Sequence, residues 1–152
     1  NREVGMKKFV VSMSLLLLSC VFLAANAQAH CEIPCGIYDD ELRMNLILEH
    51  AGTIEKSMNK IKELEGGKDA NQLVRWVVNK EKHAEELQEI VTQYFMTQRI
   101  KLDAAHYDEK IMALHKLLIY SMKCKQTTDT ANVEKLRGAA EEFKKLYFSH
   151  SH

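Results

Sequence analysis

From residue 40 onward, apolar positions recur along the chain with a helical period. Ile47, Ala51, Ile54, Met58 and Ile61 are spaced four, three, four and three apart, which puts them on one face of a helix. The stretch LEGGKDAN interrupts the pattern: its paired glycines end one helix, and its Asp and Asn are candidate caps for the next. A second stripe passes through Leu73, Val77, Ala84, Leu87, Val91 and Tyr94, and a third through Ile111, Leu114, Leu118 and Met122. KQTTDT ends the third helix and offers Thr128 or Asp129 as the N-cap of a fourth, whose apolar positions are Val133, Leu136, Ala140, Phe143 and Tyr147. No alternation of period two competes. Short connections between such helices favour antiparallel neighbours, so the pattern predicts an all-α fold, an antiparallel four-helix bundle over residues 39–152.

The apolar residues near the start follow a different rule. Lys7 and Lys8 precede an uncharged, largely apolar run over residues 9–25, and AQA at 27–29 is a small-x-small cleavage motif. With Met6 as the expected start, residues 1–29 read as upstream sequence plus a cleavable leader. A transmembrane anchor is one competitor, since the run is of nearly sufficient length. A lipidated Cys20 is another, but the leucine two positions before it fits that signal poorly. Cleavage after Ala29 implies a processing peptidase, an exported protein in the periplasm or outside the cell, no remaining membrane anchor, and a mature chain that begins at His30.

Composition adds limits. The 152 residues are 46% hydrophobic and 28% charged, with 21 basic residues against 21 acidic ones, so charge gives no argument for nucleic acid or an acidic membrane as partner. Six glycines and one proline are too few turn residues for a protein of many strands. The bundle accounts for Trp76 and for the Met and Phe residues as core or subunit interface. His50, His106 and His115 lack an i,i+4 partner that could share a metal, and His83, within EKHAEE, reads as part of a solvated face. Glu-x-x-His pairs are not repeated on two helices, which argues against a di-iron bundle. SHSH at the C-terminus reads as a frayed tail, and Cys124 as a small buried hydrophobe or free thiol.

The stretch HCEIPCGIY, residues 30–38, is left unexplained by the bundle. A disulfide between Cys31 and Cys35 is one reading, suited to an exported chain. A metal hook is the other. Once Ala29 is removed, the α-amine of His30 and the amide nitrogen of Cys31 can close a five-membered chelate ring, and that amide with the Cys31 sulfur closes a second. Cys35, reached through a turn containing Pro34 and Gly36, can add a second sulfur, and the His30 imidazole can reach an axial position. A planar N2S2 set suits Ni(II) or Cu(II), whereas zinc prefers a tetrahedron.

His30, Cys31, Pro34, Cys35, Gly36 and Tyr38, at this spacing and followed by a helical bundle of this length, resemble the start of the mature nickel superoxide dismutases. The resemblance implies a superoxide dismutase, an oxidoreductase that converts 2 O2•− + 2 H+ to O2 + H2O2 at one nickel ion per subunit, alternating between Ni(III) and Ni(II). It implies that His30, Cys31 and Cys35 hold the metal, that Tyr38 stands over the open axial face and admits only small anions, and that the bond between Ile33 and Pro34 is cis. It also implies a homohexamer. Family members often orient the histidine with a glutamate and an arginine; here the glutamate position is Leu46, with Glu49 the nearest acid, and His83 or Arg75 is a possible substitute for the arginine. Glu32 stands where aspartate is common. A non-catalytic exported bundle that binds nickel or copper is the alternative.

Overall fold

The computed structural model describes residues 36–149, together with the isolated positions 2, 5, 6, 8 and 13, which are helical. The chain divides into two units, Asn1–Cys31 and Glu32–His152. The second unit contains four α-helices: α1 (Asp40–Leu64), α2 (Ala70–Glu89), α3 (Tyr107–Gln126) and α4 (Ala131–Phe148). Helix α2 runs directly into a ten-residue π-helical segment, Ile90–Arg99. No strand occurs among the described residues. Nor is any helix among them long and apolar enough to cross a membrane; apart from Met13, the apolar run over residues 9–25 lies outside them.

Side-chain contacts fix the direction of each helix pair. Ser57 pairs with Asn79 and His50 with His83; Lys80 reaches Cys124 and Gln88 reaches Leu118; Lys116 pairs with Glu142 and Arg137 with Glu55. Rising numbers on one helix meet falling numbers on its neighbour, so α1 to α4 run antiparallel in sequence. Each helix packs on two others, α1 on α2 and α4, α3 on α2 and α4, which closes the ring of the bundle.

The first and fourth stripes lie where their periodicity puts them. Met44, Ile47, Ala51, Ile54, Met58 and Ile61 of α1 are buried, as are Val133, Leu136, Ala140 and Phe143 of α4, while Tyr147 is half-buried. Burying each such aliphatic or aromatic side chain contributes roughly 1.5–3 kcal/mol. Two stripes need correction. On α2, Val77 is exposed, and Lys80 fills the gap in the seam between Leu73 and Ala84. On α3 the buried face is Lys110, Ala113, Leu114, Leu117, Ser121 and Cys124, while Met122 is exposed and Ile111 and Leu118 are half-buried. At one of these buried small residues α3 meets α2 directly: the Ser121 hydroxyl donates across to the Ala84 carbonyl at 3.0 Å. A reading that followed the largest aliphatics rotated the stripe. Capping is a second difference, since Thr130 is the N-cap of α4, although the Asp129 side chain does accept from the Ala131 amide. Asp69 caps α2 as expected, its side chain accepting from the Gln72 amide at 3.0 Å. Gly66, at φ +76°, takes the left-handed conformation that releases the chain from α1.

Lys80 belongs in a core because of what it caps. Its ammonium donates to the carbonyls of Cys124, at 2.8 Å, and Lys125, and to the Glu81 carboxylate at 2.9 Å. Those carbonyls belong to the last turn of α3, where the peptide dipoles present negative charge and intrahelical donors run out.

The end of the bundle nearest the hook is organised by Asp40. Asp39 caps α1, its side chain accepting from the Leu42 amide at 2.9 Å, and Asp40 follows in the first turn, where a helix favours negative charge. Arg99 donates to both Asp40 carboxylate oxygens, each at 2.8 Å. The Tyr94 and Tyr147 hydroxyls donate to the same carboxylate at 2.5 and 2.8 Å. One carboxylate thus joins α1, the π-helical segment and α4. Burial alone would raise the Asp40 pKa; the bonds from Arg99, Tyr94 and Tyr147 outweigh it and hold the carboxyl below its ordinary range. Tyr94 moves the other way, well above an ordinary phenol, through burial and then its bond to Asp40. Tyr147 is pushed up to about 12 for the same reasons. Both phenols therefore stay protonated at neutral pH and keep donating.

The π-helix makes this convergence possible. Its wider turn is seen in the bond from the Ile100 amide to the Phe95 carbonyl at 2.9 Å, five residues back. In an α-helix residues five apart would point about 140° away from each other; the i→i+5 winding brings Tyr94 and Arg99 to the same carboxylate.

Two predictions follow from these contacts. Lys80→Ala leaves two helix-terminal carbonyls without their donor, and urea unfolding is expected to show a loss of about 2–3 kcal/mol. Asp40→Asn is expected to cost about 2 kcal/mol at neutral pH. Because the folded carboxyl has a depressed pKa, its contribution is fully present above the unfolded value of 3.8 and disappears as pH falls toward the folded one. The wild-type stability advantage over the Asn variant should therefore shrink on acidification below that value.

Candidate active site

His30, Cys31 and Cys35, with Pro34 and the bond preceding it, lie outside the described residues. The hook becomes visible at its last positions. Gly36 has φ +67°, a left-handed conformation that glycine adopts without strain, so the chain turns immediately after Cys35. Ile37 is 76% exposed, and Tyr38 is 48% exposed.

Tyr38 is nonetheless held on both sides. The Arg99 guanidinium lies 4.4 Å from its ring centroid, and the Tyr94 ring meets it edge-on at 6.1 Å with an interplanar angle of 62°. Both partners are themselves fixed by Asp40. The phenol ring three residues beyond Cys35 is thus clamped to the bundle end by a cation–π contact and an aromatic contact, each worth about 0.5–1 kcal/mol or more where partly desolvated. The sequence marked Tyr38 but not Asp40, Arg99 or Tyr147 as its support. The available signal was the acidic pair Asp39 and Asp40 after the hook; nothing in the spacing of Ile90–Arg99 announces a π-helix.

Beside this clamp a cleft of about 410 Å³ opens between α1 and the α2–π-helix, lined by Arg43, Leu46, His50, Glu86, Glu89, Ile90, Gln93 and Tyr94. That is room for a side chain such as an imidazole, not merely for water. Arg43 lies 5.2 Å from the Tyr94 ring centroid, and its buried Nε has no hydrogen-bond partner among the described residues. The Leu46 position supplies an apolar wall, so carboxylates in the cleft come from Glu86 and Glu89 instead; Glu49 is exposed and does not line it.

His83 requires correction. It does not belong to a solvated face: its side chain is 24% exposed, and its Nδ1 lies 2.8 Å from Nδ1 of His50 across the α1–α2 interface. Glu86 Oε2 stands 3.6 Å from the His50 nitrogen and 3.5 Å from that of His83. Burial, followed by the neighbouring His83, lowers the His50 pKa and favours its neutral ring. The sequence reading looked for partners within one helix, whereas these meet between two. Arg75, the other residue considered beside His83, lines a separate hollow with Thr53, Lys56, Gln72, Trp76 and Asn79.

The remaining candidates fall elsewhere. His106 is the N-cap of α3, at φ 56°, and lies 3.4 Å from Glu109. His115 is exposed. Cys124 is free and buried, and burial pushes its thiol up to about 11, so it is a packing residue rather than a thiolate donor.

The donor types expected of residues 30–35, an amine, an amide and two thiolates, would suit nickel, and the described chain that follows them directly has a left-handed turn at Gly36 and the clamped Tyr38. The family model described as nickel-containing superoxide dismutase matches residues 25–151. No curated protein and no solved structure matches the chain. A match over most of the length, together with the helical architecture, places this chain in the nickel-containing superoxide dismutase family: it is an oxidoreductase that uses nickel and acts on superoxide.

Proposed function

We propose that residues 30–38 are the active site of this dismutase and act only after removal of residues 1–29. His30 would hold the ion through its α-amine and imidazole, Cys31 through its amide nitrogen and thiolate, and Cys35 through its thiolate. The observation that carries this reading is the clamp on Tyr38, which fixes one end of the hook against a rigid bundle.

Bound nickel supplies a one-electron couple suited to 2 O2•− + 2 H+ → O2 + H2O2, and anionic sulfur and amide donors bring that couple into a useful range. The protein's own groups do the rest. Tyr38 narrows the approach so that only a small anion reaches the centre. Arg43, which lines the adjoining cleft, provides positive charge toward which such an anion is drawn. Tyr94 and Tyr147 are poor proton sources, because their raised pKa values keep them donating to Asp40; protons for peroxide therefore come from solvent or from the region of Tyr38. Held on the ion, the Cys31 and Cys35 thiolates would have fewer free lone pairs for peroxide to oxidise.

The leader over residues 1–29 supports export to the periplasm or cell exterior and removal by a processing peptidase. Assembly as a homohexamer is carried over from the family resemblance. Exposed apolar residues on α2, Val74 and Val78, each 59% exposed, are suited to covering by another subunit.

One set of variants tests the donor assignment. Cys31→Ser and Cys35→Ser are each expected to lose planar nickel binding and dismutation while keeping helicity. His30→Ala keeps the amine, the amide and both thiolates, so nickel content should stay near wild type while turnover falls tenfold or more, about 1.4 kcal/mol of barrier per factor of ten. Its Ni(III) electron paramagnetic resonance signal should lack coupling to an imidazole nitrogen. Normal turnover in a nickel-loaded His30→Ala variant would rule out the His30 imidazole as a donor that catalysis needs.

A further inference from the structure

The bundle carries a second group of metal-ligating side chains that shares no donor with the hook. The two Nδ1 atoms of His50 and His83 and Oε2 of Glu86 form a triangle with sides of 2.8, 3.6 and 3.5 Å. The circle through them has a radius of about 1.9 Å, so a point slightly above their plane is about 2.1 Å from all three, the bond length of a first-row divalent ion to imidazole and carboxylate. Without an ion the two facing nitrogens can share one proton, and the Glu86 carboxylate, with Lys82 Nζ 3.6 Å from its other oxygen, stands beyond hydrogen-bond reach of either ring.

The setting suits a metal as well. His83 and Glu86 are one turn apart on α2, and His50 comes from α1, so both backbones are rigid helices rather than loops. Their side chains are 12%, 24% and 37% exposed in the order His50, His83, Glu86, which is partly desolvated but reachable. His50 and Glu86 also line the cleft, where solvent can supply the remaining ligands.

We propose that His50, His83 and Glu86 form a second metal site, for a divalent first-row transition ion of borderline softness such as zinc. The choice follows from the donors: two imidazoles and one carboxylate lack the thiolates that select Cu(I) and the oxygen count that calcium or magnesium requires. Three ligands with open positions make a tetrahedral or octahedral site.

The test uses the chain beginning at His30 with Cys31→Ser and Cys35→Ser, which removes the hook thiolates, titrated with zinc alone. Native mass spectrometry should show a bound zinc, and nitrogen-detected histidine spectra should show Nδ1 of His50 and His83 shifting together as it binds. Adding His83→Ala, or separately the milder Glu86→Gln, should weaken that affinity at least about tenfold while far-UV circular dichroism stays unchanged. If His83→Ala unfolds, the Glu86→Gln comparison and the histidine shifts still decide. Failure to bind zinc, or zinc that leaves both imidazoles unshifted and is indifferent to Glu86→Gln, overturns the proposal. None of these outcomes depends on dismutation at the hook.

Discussion

The Asp40 carboxylate holds together the end of the bundle that carries Tyr38. It sits in the first turn of α1, where a helix welcomes negative charge, and it takes two hydrogen bonds from Arg99 and one each from Tyr94 and Tyr147. Those partners come from the π-helical segment and from α4, so a single anion ties three elements to one point. Arg99 and Tyr94 then use their other surfaces to hold Tyr38. The order of cause runs outward from the carboxylate, through the arginine and the phenol, to the ring of Tyr38. A short peptide that must grip a redox metal gains from such a base, because a ligand set is only as well placed as the shell that supports it.

The π-helix and the buried lysine show how the bundle accommodates polar demands without giving up its core. The wider turn over Ile90–Arg99 departs from ideal helix geometry, a feature that often marks functional sites, and its return is the alignment of Tyr94 with Arg99. Lys80 occupies a seam position where an aliphatic residue would pack, and its charge is answered by carbonyls at the end of α3. Between α1 and α2, a carboxylate oxygen and two ring nitrogens of Glu86, His50 and His83 lie within 3.6 Å of one another.

Much of the bundle was legible because amphipathic spacing is a one-dimensional record of a helix face. Ile47, Ala51, Ile54, Met58 and Ile61 are buried as their intervals require. The record misled where packing is close, since Ala113, Ser121 and Cys124 are chosen for smallness and carry little hydrophobic signal. The activity was legible for another reason: the resemblance that implies it is carried by adjacent residues, 30–38, and the family match over residues 25–151 bears that activity out. Contacts between helices left no such trace. Asp40 with Arg99 spans 59 residues and His50 with His83 spans 33, distances over which no local pattern operates. The π-helical winding was hidden too, because IVTQYFMTQR carries no residue that requires it.

Whether catalysis resides in the processed terminus is decided most directly by retaining one residue. A chain beginning at Ala29 keeps His30, Cys31, Cys35 and Tyr38 but converts the His30 amine into a peptide amide. Compared with the chain beginning at His30, at equal protein concentration and with nickel measured in both, it should fail to form the planar nickel site and should leave superoxide decaying at the uncatalysed rate. The chain beginning at His30 should hold one nickel and turn over. Equal dismutation by the two would show that the free amine is dispensable and that the reacting metal is held by other groups.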